Sequence, residues 1–215
     1  MNIEAIIFDM DGVLIDSGEA HKESWRMLAR ELGAEISDER FAGLFGRSSR
    51  DIIRALYGDN LPDKTVAQYD DRKERAFREL VRGRMPAMRG AVPLVRSLFD
   101  RGFSLAVGSS GPPENIQLCL QDMEIARFFS AVVTGMDVVN GKPDPQVFLM
   151  AADRLGVDPK HCVVVEDAPA GVEAARRAGM KCIALVGSHP PAKLQYADRV
   201  VTALDDITPE NIQSL

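Results

Sequence analysis

Cysteine is scarce in this chain: three residues, Cys119, Cys162 and Cys182, among 215. They are odd in number and show no CxxC spacing, and two stand in apolar strand-like runs. That argues against a disulfide framework or a zinc site and for buried free thiols. Long apolar runs are also missing. No stretch of about 18 such residues occurs, so no transmembrane helix is expected. There is no excess of positive charge: 26 Lys and Arg face 32 Asp and Glu, a net charge of −6. This balance speaks against nucleic-acid binding, which needs a clustered basic surface. The opening MNIEAIIFDMDG has neither a basic leader nor a small-residue cleavage site, so it does not read as a signal peptide. Internal repeats and low-complexity tracts are absent. These lacks together predict a soluble cytoplasmic protein with no nucleic-acid and no membrane partner, and a monomer is expected.

What is present is an ordinary globular balance, 46% hydrophobic and 27% charged, on a chain long enough for one large domain or a core with an insertion. Short β-branched runs recur: IEAIIF (3–8), FSLAVG (103–108), AVVTG (131–135), CVVVE (162–166), CIALV (182–186) and RVVT (199–202). Helical patterns lie between the later ones. Val147, Phe148, Ala151 and Leu155 share one helical face, as do Val172, Ala175 and Ala178. Strands alternating with helices predict an α/β fold, a Rossmann-like parallel sheet with helices on both faces. The near-continuous apolar character of the strands agrees, since such strands are covered on both sides.

Residues 17–85 differ. They hold no convincing strand and read as amphipathic helices, with Trp25, Leu28 and Leu32 on one stripe. MPAMRG then reads as a return linker, followed by a helix over 91–101. The predicted organisation is a core of residues 1–16 and 86–215, interrupted by an inserted α-helical domain at 17–85.

Ligands of open α/β sheets bind beyond the carboxyl ends of the strands. The first strand ends in FDMDGVLIDS (8–17), with Asp9 and Asp11 two positions apart. Close carboxylates raise the cost of ionising one another. A divalent cation removes that cost and leaves one carboxylate as nucleophile and the other as acid/base, the chemistry of phosphoryl transfer through an aspartyl phosphate. The second strand ends at Ser109-Ser110, Lys142 follows the third in NGKPDP, and the fourth ends at Glu166-Asp167. Mg2+ takes hard oxygens, one or two carboxylates among them. Asp9, Asp167, Glu166 and the Asp11 carbonyl are the expected metal set. Lys142 supplies fixed charge, and Ser109 a hydroxyl and backbone N–H groups for phosphoryl oxygens. Asp11 would protonate the leaving oxygen and then activate water.

Each segment also has a plain structural reading. Asp11-Gly12 is a turn signal. Ser109-Ser110-Gly111 before two prolines fits a helix cap. Lys142-Pro143 fits a solvated loop, and Glu166-Asp167 before Pro169 fits a helix N-terminus. Four independent turns, however, have no reason to place complementary chemistry along one sheet edge.

In this order, FDMDGV, AVGSS, NGKPDP and VVVEDAPAGVEAA resemble the four motifs of the haloacid dehalogenase (HAD) superfamily of phosphotransferases, over the whole chain. The resemblance implies a HAD-like core, with Asp9 as nucleophile, Asp11 as acid/base, Ser109 and Lys142 on phosphate, and Glu166 and Asp167 at Mg2+. An aspartate at the first position is similar to phosphatases and mutases rather than to the dehalogenating branch. The helical insertion resembles the cap of the β-phosphoglucomutase-like subfamily, where a histidine and a tryptophan follow the first motif. Here these are His21 and Trp25. The resemblance further implies substrate contacts from Ser110, from Gly46, Arg47 and Arg50 in FGRSSRD, and from Lys73, the candidate to face His21. Trp25 also fits the core of the insertion, and Lys73 a solvated helix face. One departure stands out. Mutases of this group carry a polar loop after the second motif, and here GSSGPPEN places Gly111, Pro112 and Pro113 where side-chain donors would lie.

The expected activity is Mg2+-dependent hydrolysis of a small phosphorylated metabolite, a sugar phosphate, with the cap closing to exclude water. A β-phosphoglucomutase-like phosphomutase is the alternative enzyme. A non-catalytic metabolite-binding regulator is the alternative of another class.

Overall fold

The six apolar runs become six strands of one sheet: β1 (Ala5–Phe8), β2 (Ser104–Gly108), β3 (Ala131–Val133), β4 (Cys162–Glu166), β5 (Lys181–Leu185) and β6 (Arg199–Val201). The computed structural model describes residues 2–37, 39–40 and 49–215. The strands pair in the order β3-β2-β1-β4-β5-β6, all in parallel. β1 and β4 are buried along their whole length, the burial expected of strands covered on both faces. The chain builds outward from β1 through β2 to β3, then crosses back to place β4 on the other side of β1. That reversal is a topological switch point, and the crevice beyond it lies at the carboxyl ends of β1 and β4.

The described residues form two compact units, Met1–Ser17 with Arg84–Leu215, and Gly18–Gly83. The first unit holds the sheet. One sheet face presents Ala5, Ile7, Ala106, Cys162, Val164, Cys182 and Ala184, alternate residues of four strands as the period of two requires. Val147, Phe148 and Ala151 of one helix (Gln146–Leu155) and Val172, Ala174 and Ala175 of another (Pro169–Arg177) belong to the same core. The helical faces read from the sequence are therefore the ones buried. A third helix (Ala91–Asp100) packs on β2. All three cysteines are free and buried.

The second unit contains three described helices, α1 (Gly18–Glu31), α2 (Ser49–Tyr57) and α3 (Asp63–Val81). Their core is Trp25, Leu28, Ile52, Ile53 and Val66, with Leu32 packed against it. No strand occurs among its described residues. No described helix of the chain is long and apolar enough to cross a membrane.

β3 is shorter than its apolar run suggests. The Thr134 N–H and Oγ1 both donate to Asp137 Oδ2, at 2.8 and 2.7 Å, so the backbone leaves the ladder after Val133.

Candidate active site

Register decides which side chains meet. Phe8 pairs with Val165, and the Asp9 N–H donates to the Val165 carbonyl at 2.9 Å. Asp9 therefore emerges from the sheet beside Glu166. Both carboxylates are buried, 7% and 1% exposed. Lys142 arrives on the loop after β3 and closes the gap. Its Nζ donates to Asp9 Oδ1 and to Glu166 Oε1, each at 2.7 Å. Its Nζ stands over the Phe148 ring, 4.7 Å from the centroid.

Glu166 fits the helix N-terminus reading drawn from the sequence and meets Lys142 as well. Oε1 takes Lys142, while Oε2 accepts the N–H groups of Asp167 and Ala168 at the turn into the helix that begins at Pro169. Gly171 permits this, because a Cβ there would overlap the Glu166 carboxylate at 1.8 Å. The turn reading of Asp11-Gly12 also holds. Gly12 has φ +77°, and its N–H donates to the Ile15 carbonyl at 2.8 Å. Its bare Cα matters again on the far side, where a Cβ would come within 2.1 Å of Asp167 Oδ2.

Asp9, Glu166 and Asp167 bring ligand oxygens within 4.8 Å of one another. Burial pushes the Asp9 carboxyl well above the usual carboxylate range, with Lys142 opposing and Glu166, Asp11 and Asp167 adding. Asp167 is pushed up to about 7, by burial and then by Glu166. Burial works to lower the Lys142 ammonium, but Asp9 and Glu166 outweigh it and hold its pKa above the ordinary value. Asp9 and Glu166 thus share one ammonium with Asp167 close by, and proton uptake is the remedy available to Asp9 and Asp167. A divalent cation is the alternative remedy. The donor atoms, all hard oxygens with no nitrogen or sulfur, fit Mg2+.

Asp11 is partly exposed beside this cluster, and Ser17 Oγ donates to its Oδ1 at 2.5 Å. Ser109 is buried, 1% exposed, and its Oγ accepts the Gly111 N–H at 3.1 Å. The Ser109 N–H is committed to the Val133 carbonyl at 3.0 Å, so the hydroxyl is what Ser109 itself can offer an anion. The helix at Pro113 is capped by Pro112 with no side-chain bond, so Ser109 and Ser110 do not serve as its cap. Ser110 is exposed.

In the second unit, Lys73 is 2% exposed rather than solvated. Its Nζ lies 2.8 Å from His21 Nδ1 and donates to Glu74 Oε1 at 2.8 Å. An ammonium only donates, so Nδ1 accepts and the ring proton sits on Nε2. The His21 ring stacks on Phe77, with centroids 4.2 Å apart at 12°. Trp25 is a core residue, 3% exposed, and the Lys73 Nζ stands 5.4 Å from its ring. Arg50 is exposed in the first turn of α2. Gly46 and Arg47 lie outside the described residues.

Two hydroxyls escaped the sequence reading. Ser17 lies four residues past FDMDGV. Ser188, on the loop after β5, donates its Oγ to Asp167 Oδ2. The rule that found the other groups, inspection of strand ends, covers Ser188 as well.

This geometry has close relatives. Residues 3–179 match the family model of the haloacid dehalogenase-like hydrolases. The chain is 33% identical over 185 residues to a phosphorylated carbohydrates phosphatase of Thermotoga maritima, covering 84% of each. It is 32% identical over 216 residues to a β-phosphoglucomutase of Bacillus subtilis, covering 97% of this chain and 93% of that one. Among solved structures, a HAD hydrolase of family IA, variant 3, from Entamoeba histolytica superposes with a TM-score of 0.90 at 25% identity, covering 99% and 98% of the two chains. The chain is an enzyme of the haloacid dehalogenase-like hydrolase family, β-phosphoglucomutase-like in its fold.

Proposed function

We propose that the protein is a Mg2+-dependent phosphatase of small phosphorylated metabolites, with sugar phosphates as the substrate class. The observation that carries this reading is the Asp9–Lys142–Glu166 bridge, with Asp167 completing an all-oxygen cluster. The relative from Thermotoga maritima, named for phosphorylated carbohydrates, supports the substrate class.

Asp9, Glu166, Asp167 and the Asp11 carbonyl are the oxygens that would hold the cation. When bound, Mg2+ supplies charge neutralisation on the phosphoryl oxygens, so that an anionic nucleophile can approach phosphorus. Asp9 attacks phosphorus, and the bond to the leaving oxygen breaks. Asp11 gives that oxygen its proton. The product is an acyl phosphate on Asp9. Asp11, now ionised, takes a proton from water, and the resulting hydroxide attacks the acyl phosphate. Inorganic phosphate departs and the Asp9 carboxylate is restored. Lys142 carries the permanent positive charge beside the nucleophile, and the Ser109 hydroxyl donates to the transferring group. The helical unit Gly18–Gly83 is assigned as the cap, with His21, Lys73 and Arg50 as its specificity residues. Three unpaired thiols suit the reducing cytoplasm.

A phosphomutase is the second reading. The His21–Lys73 pair and the similarity to the Bacillus subtilis β-phosphoglucomutase favour it. Gly111, Pro112 and Pro113 disfavour it, because they offer no side-chain donors to a bisphosphate held in two orientations. The named relatives are enzymes, which leaves a non-catalytic regulator without support.

The test is a phosphate-release screen over sugar, polyol and nucleotide phosphates, with Mg2+ and with a chelator. Release from sugar phosphates that stops with the chelator is expected. Formation of glucose 6-phosphate from β-glucose 1-phosphate and a bisphosphate activator, without free phosphate, would replace hydrolysis by the mutase reading.

A further inference from the structure

Ser188 has no part in the reaction described above, yet its position is specific. It stands beyond the end of β5, on the edge of the sheet that carries Asp9, Ser109 and Glu166-Asp167. The residue is exposed, while Asp167 is 5% exposed, so the hydroxyl reaches from the rim onto a buried carboxylate. Oγ donates to Asp167 Oδ2 at 2.5 Å. The Gly12 backbone closes on the same oxygen, leaving no room for a Cβ. Oδ2 is thus held by a donor and confined by a bare Cα, and the plane of the carboxylate is set. Two nearby donors are engaged elsewhere. The N–H groups of Asp167 and Ala168 are both given to Glu166, and Ala168 has no hydroxyl.

We propose that Ser188 is a positioning residue for the divalent-cation site, orienting the Asp167 carboxylate toward the metal. The proposal rests on the assignment of Asp167 as a cation ligand. Ligating carboxylates need hydrogen-bond partners of their own, and loss of such a partner costs about 10–100-fold in metal affinity. Because the bond that Ser188 makes is to Asp167, its expected effect falls on Mg2+.

The experiment measures Mg2+ binding to the full-length protein by calorimetry and by the metal-dependent rise in Tm, without substrate. Ser188→Ala is expected to weaken Mg2+ about 10–100-fold. Ser188→Thr keeps the hydroxyl and is expected to restore binding. At saturating Mg2+ the KM for substrate in Ser188→Ala should match the wild type. Mg2+ affinity in Ser188→Ala equal to or tighter than wild type overturns the proposal. Asp167→Asn tests the underlying assignment separately: wild-type Mg2+ affinity in that variant, or no Mg2+ binding by the wild type, overturns the metal site itself and the role of Ser188 with it.

Discussion

Lys142 Nζ donates to Asp9 Oδ1 at 2.7 Å, and the two side chains are 9% and 10% exposed. The same ammonium holds Glu166. Removing it leaves two buried carboxylates facing each other without a counter-charge. Lys142→Ala is expected to lose about 3–5 kcal/mol of stability and about 10²–10³-fold in kcat, the scale of losing one preorganised charge-stabilising group. Mg2+ should raise the Tm of this variant more than that of the wild type, because it replaces part of the missing positive charge. Thermal and denaturant melts with and without Mg2+ check this. Wild-type stability in Lys142→Ala would show that the carboxylates are already neutral or solvated.

The hydroxyl of Ser17 fixes the Asp11 carboxylate. A general acid contributes only when its proton points at the leaving oxygen. Ser17→Ala is expected to lower kcat about tenfold, the scale of one hydrogen bond to a charged group, with little change in KM and a moved limb of the kcat–pH profile. Steady-state kinetics across pH reads this. An unaltered profile would mean that Asp11 is oriented by other contacts.

Asp137 stabilises the start of the loop that carries Lys142. The Arg154 guanidinium, then the Thr134 hydroxyl and N–H, hold its carboxyl down to about 2. Its folded pKa lies below the unfolded value of about 3.9, so its contribution to stability is complete above about pH 4 and is lost as pH falls toward 2. Carboxyl NMR titration should show the low midpoint. Asp137→Asn should remove that part of the acid dependence. A midpoint near 4 would contradict the pairing.

Burial governs the thiols. It pushes Cys119 up to about 12 and Cys162 up to about 11, and Cys182 is raised well above its ordinary value. Reaction needs the thiolate and access. The native protein is expected to leave an aromatic disulfide reagent unreacted at pH 8 and to consume three equivalents once denatured. Rapid native labelling would place a cysteine at the surface.

The legibility of the site followed its chemistry. Asp9, Glu166 and Asp167 could be read because two apolar runs end in carboxylates, and Lys142 because NGKPDP follows a third run; a parallel sheet gathers its strand ends on one edge. Ser17 and Ser188 are less legible, since a hydroxyl in a loop carries no periodicity and its partner is fixed by tertiary packing. The division of Glu166 between Lys142 and two backbone N–H groups is likewise invisible in EDAPAG. Lys73 shows the limit from the other side. The charged stretch DDRKERAF by itself also fits a solvated face, and only the family resemblance pointed Lys73 at His21; it is buried against His21 and Glu74, because the third helix turns that position inward. The short β3 has a similar cause: Thr134 prefers a local bond to Asp137 over the next rung of the ladder.

The central claim is that Asp9 is the nucleophile. Its most direct test is an acid-quenched single turnover with a sugar phosphate and Mg2+, followed by peptide mass spectrometry on wild type and Asp9→Asn. The account predicts a transient phosphate adduct on Asp9 in the wild type, with neither adduct nor turnover in Asp9→Asn. Turnover retained in Asp9→Asn, or an adduct on a different residue, would contradict it.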